Sequence, residues 1–113
     1  MGAAQLSPVS TIAQRLRTLA QLYQQGQTSD LMERTLDKLL VYEADVCRVQ
    51  LGQLQSDLAE FEQRYGLSSA EFYRRFQAGQ TDDRMDYVEW ASLVQVVNNL
   101  RERLYLLTGK VES

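Results

Sequence analysis

The chain has 113 residues, a length that suits one modest hydrophobic core, and its balance of 44% hydrophobic and 24% charged residues excludes global disorder. The net charge is −3, with the ten arginines dispersed and the two lysines, Lys38 and Lys110, far apart. Direct nucleic-acid binding, which needs clustered positive charge to displace counterions from phosphates, is therefore not expected.

The first predicted helix spans about residues 8–25. Ser7 is placed to cap it, Pro8 suits its first position because no hydrogen bond is lost there, and Gly26 stops it. Val9, Ile12, Leu16, Leu19 and Tyr23 recur at intervals of three and four, which draws one apolar stripe along the helix. Its only cations are Arg15 and Arg17, too few for docking on a membrane surface.

A second helix is predicted from 30 to 65, starting at Ser29-Asp30 and ending before Gly66. Leu40, Ala44, Cys47, Leu51, Leu54, Leu58, Phe61 and Tyr65 hold an unbroken 3–4 spacing, the pattern of helices packed side by side at shallow angles. Leu31, Leu39, Tyr42, Val46 and Val49 widen the apolar arc of its first half, and a wide arc implies two packing partners. Gly52 interrupts no stripe and is read as a place where a neighbouring backbone could come close.

A short third helix, 69–78, is announced by Ser68 and Glu71 at capping-box spacing and carries Phe72, Tyr73 and Phe76, enough aromatic bulk to plug the end of a helical hairpin. The fourth, 82–107, opens among Asp82, Asp83 and Asp86. It runs on through Trp90, Leu93, Val97, Leu100, Leu104 and Leu107 at 3–4 spacing, with Tyr87 and Val94 flanking the stripe.

The fold class is thus all-α, a single helical domain over residues 1–113, with the expectation of an elongated bundle built on a long helical hairpin. At 1.5 Å per residue the second helix would be about 54 Å long. The first and fourth helices, about 27 Å and 37 Å, are expected to fold back on its front and its rear. Layers of two helices leave part of a wide apolar arc wet, which singles out Leu31, Tyr42 and Val49 as partner-binding residues, in a homodimer or with another chain.

Chemistry has few actors here. Histidine is absent, so the commonest general base and zinc ligand is missing, and no Glu-x-x-His pair of the di-iron bundles can be written. No enzyme activity, cofactor or metal is expected. Asp82, Asp83, Asp86 and Glu89 are read first as acids favoured by the positive end of a helix dipole. In a functional role, Asp83, Asp86 and Glu89 suit contact with a basic protein surface better than a metal, which needs ligands from several directions. Cys47 lies on the apolar stripe as a small core residue. A lone cysteine, no secretory leader pattern and no run of about 20 apolar residues place the expected location in the cytoplasm.

From residue 61 onward, Phe61-Glu62, Tyr65-Gly66, Ser68-Ser69, Glu71-Phe72-Tyr73, Phe76, Gly79, Asp82-Asp83, Asp86 and Glu89-Trp90 resemble a family of small bacterial and archaeal helical proteins. In that family a long helix ends in FExxYG, an SSxEFYxxF helix follows, and acids ahead of a Glu-Trp pair open a second long helix. The resemblance leaves out residues 8–25. It implies an antitoxin-like protein, encoded beside a small toxin, that lays its apolar stripe in a groove of the toxin and turns its acids to a basic surface. The other reading of the same features is a self-assembling structural adaptor that forms a helical homodimer.

Overall fold

A computed structural model describes residues 8–110 and is all helix and connecting turn over that range. Four helices follow in chain order: α1 (Pro8–Gln24), α2 (Asp30–Tyr65), α3 (Ser69–Gln77) and α4 (Met85–Thr108). The expected Ser7 cap and the side chain of Val9 lie outside what is described. No described helix is long and apolar enough to cross a membrane.

The chain divides into two compact units, Met1–Asp37 and Lys38–Ser113, and α2 runs without a break through the boundary. In the first unit the Ser29 hydroxyl caps α2 by accepting the Met32 amide at 3.1 Å. Leu19, Leu22, Tyr23, Met32 and Leu36 are half-buried, whereas Ile12 and Leu16 of the predicted stripe are exposed, so among the described residues this unit buries the stripe only near its turn. Burial and the nearby carboxylates of Glu33 and Asp37 push the Tyr23 phenol above its usual range.

The second unit holds the core. α4 runs antiparallel to the rear of α2, as paired contacts along both helices show. Arg103 bonds Glu43 at 2.7 Å, the Cys47 thiol donates to the Leu100 carbonyl, Phe61 stacks on Trp90, and Arg64 bonds Asp86 at 2.8 Å. The 3–4 stripe of α2 is what these contacts bury: Ala44, Cys47, Leu51, Leu58 and Phe61 meet Trp90, Ala91, Val94, Val97 and Leu104.

At the turn end, six aromatic rings from three helices close the core: Phe61 and Tyr65, Phe72 and Phe76, Tyr87 and Trp90. Trp90 is their hub. It is 0% exposed, lies parallel to Phe72 with centroids 3.9 Å apart, and donates its indole N–H to the buried Ser69 hydroxyl at 2.9 Å.

Three local expectations need correcting. α4 starts at Met85 rather than Asp82, because the Asp82 carboxylate takes both the Arg84 backbone amide and the Arg84 guanidinium, fixing a turn ahead of the helix. Only half of the predicted capping box forms. Ser68 accepts the Glu71 amide, but Glu71 turns to Arg74 and Arg75, and it is Glu62 from α2 that takes the Ser69 amide. Gly52 admits no close backbone, since a methyl group added there would meet nothing within 4 Å. Gly52→Ala is accordingly expected to raise the unfolding free energy by about 0.5–1 kcal/mol in a urea titration, the helix propensity difference with no clash to offset it.

The Ser68 cap gives a matching loss: Ser68→Ala should cost about 1 kcal/mol by the same titration. The ion pairs at this end carry a pH signature. Arg74 and Arg75 hold the Glu71 carboxyl down to about 2, and Arg84 holds Asp82 at about 2. Both lie below the unfolded range of about 4. Their contribution is fully present above that range and is lost as pH falls through 2, so the melting temperature should drop across this window, and Glu71→Gln should flatten the drop.

Candidate functional site

The two sides of the α2–α4 hairpin differ in kind. On one side α3 is laid down, and its cap Ser68 with its Ala70, Tyr73 and Gln77 share a groove with Gln55 and Leu58 of α2 and Val94 and Asn98 of α4. The other side is free of α3 and divides along its length into an apolar half and an acidic half.

The apolar half is formed by Leu39, Tyr42, Val46 and Val49 of α2, all exposed, beside exposed Val96 and half-buried Leu93, Leu100 and Leu107 of α4. Its origin is in the sequence period. At about 100° per residue, these α2 positions form a second 3–4 stripe roughly 120° from the one facing α4. Val96, Leu100 and Leu107 stand about 90° from the inward stripe of α4 and turn the same way. Within this half the charged pair Glu43 and Arg103 is satisfied across the helices, so it carries no net charge.

The acidic half follows toward the aromatic end, where Asp57, Glu60, Asp86 and Glu89 line a groove around Phe61, Arg64 and Leu93. Asp86 is already committed: its Oδ2 accepts the Tyr65 hydroxyl at 2.6 Å and the Arg64 guanidinium at 2.8 Å. Those two bonds hold its carboxyl below the ordinary aspartate range. Asp57, Glu60 and Glu89 are exposed. The described residues include no group of three or more acidic or cysteine side chains placed to hold a metal ion.

The predicted partner-binding residues separate into groups. Tyr42 and Val49, 64% and 63% exposed, share the apolar half, and Asp86 and Glu89 share the acidic half. Leu31, 69% exposed, belongs to the first unit, and exposed Asp83 stands in the turn before α4, away from the acidic groove. Sequence reasoning missed Asp57 and Glu60. Their signal was available: continuing the Leu39, Tyr42, Val46 and Val49 stripe at 3–4 spacing reaches Gln53 and then these two acids.

Cys47 is 1% exposed with its thiol on the Leu100 carbonyl. It should resist a thiol reagent such as DTNB in the native chain and react fully once the chain is unfolded in urea. No protein-family model, curated protein or solved structure matches this chain.

Proposed function

We propose that the chain is a non-catalytic protein-binding module whose working surface is the side of the α2–α4 hairpin opposite α3. The observation that carries the reading is the exposed stripe of Leu39, Tyr42, Val46 and Val49, continuous with an acidic groove. A large apolar surface rimmed by charge is the ordinary mark of an interface, and the acidic half selects a basic partner and speeds its approach.

Together with the resemblance of residues 61–90, this supports an antitoxin-like role: steric neutralisation of a small basic toxin, in which Glu60 and Glu89 meet cationic side chains and the apolar half fills a groove. The chain would act in the cytoplasm, without cofactor or metal. Co-expression with a toxin-like product of a neighbouring gene is expected to relieve growth arrest and to yield a co-purifying complex, weakened by salt and by Glu60→Lys with Glu89→Lys. Persistent arrest and no complex would dispose of the antitoxin reading. The electroneutral apolar half favours a second reading, a self-assembling adaptor, because it offers nothing by which to select a charged partner.

A further inference from the structure

We draw no further inference here: the strongest candidate, the exposed apolar face of Leu39, Tyr42, Val46 and Val49 on the open side of the α2–α4 hairpin, belongs to the surface already described, and nothing in the structure shows what covers it.

Discussion

Trp90→Ala is expected to lower the unfolding free energy by at least 3–5 kcal/mol, the range of about that size seen when a large buried aromatic is cut back to a methyl group. The site gives little room for collapse. Trp90 is fully buried, and its removal strips a face from Phe72, Phe61, Tyr65 and Tyr87 at once while leaving the buried Ser69 hydroxyl without its donor. Since marginal stability is about 5–15 kcal/mol for a whole domain, this one change consumes much of it. Trp90→Phe separates the two contributions: stacking is largely kept, and the remaining cost of about 1–3 kcal/mol reports the unsatisfied Ser69 hydroxyl. Urea titration followed by circular dichroism measures both, and Trp90→Ala within 1 kcal/mol of the parent would mean the aromatic hub does not hold α3 to the hairpin.

The second large effect concerns association rather than folding. The pair Tyr42→Glu with Val49→Glu puts two carboxylates on the apolar half of the open side, where both parent side chains are well exposed. Folding of the single chain should change by no more than about 0.5 kcal/mol, as for ordinary surface substitutions. Association should weaken roughly a hundredfold or more, because each glutamate would have to be desolvated without a partner in the interface. This divergence between an intact fold and a lost interface is the signature of a docking surface. Equal loss of both would mean that the stripe serves the core of the chain itself.

Much of the fold was legible because the breakers are unambiguous and the periods are long. Gly26, Gly66, Gly79 and Gly109 end their helices in left-handed backbone, which L side chains adopt only with strain, and the 3–4 stripe from Ala44 to Tyr65 is the face that α4 covers, its predicted first member Leu40 being left exposed. What failed was short-range. The start of α4 depended on whether Asp82 caps a helix or closes a turn with Arg84, and the spacing is the same for either. The Glu71 side chain had two arginines within a turn and one backbone amide behind it, and the ion pairs won.

The site was half legible for a related reason. Tyr42 and Val49 announce themselves by being apolar on the wrong side of a helix, and the structure keeps them in solvent. The acids were grouped by their nearness along the chain, which joined Asp83 to Asp86 and Glu89. Packing groups them by side instead, joining Asp57 and Glu60 of α2 to Asp86 and Glu89 of α4. Periodicity within one helix tells which residues share a face, and only the pairing of two helices tells which faces become one surface.

Sedimentation equilibrium of the unsubstituted chain, alone and mixed with the basic product of a neighbouring gene, from low to high micromolar concentration weighs the central claim most directly, that the open side of the α2–α4 hairpin is an interface. The account predicts a species heavier than the 13.0 kDa chain, a mixed complex or a pair of chains, reverting to a single chain in the Tyr42→Glu, Val49→Glu variant. A mass of one chain throughout that range, unchanged by the two substitutions, would contradict it.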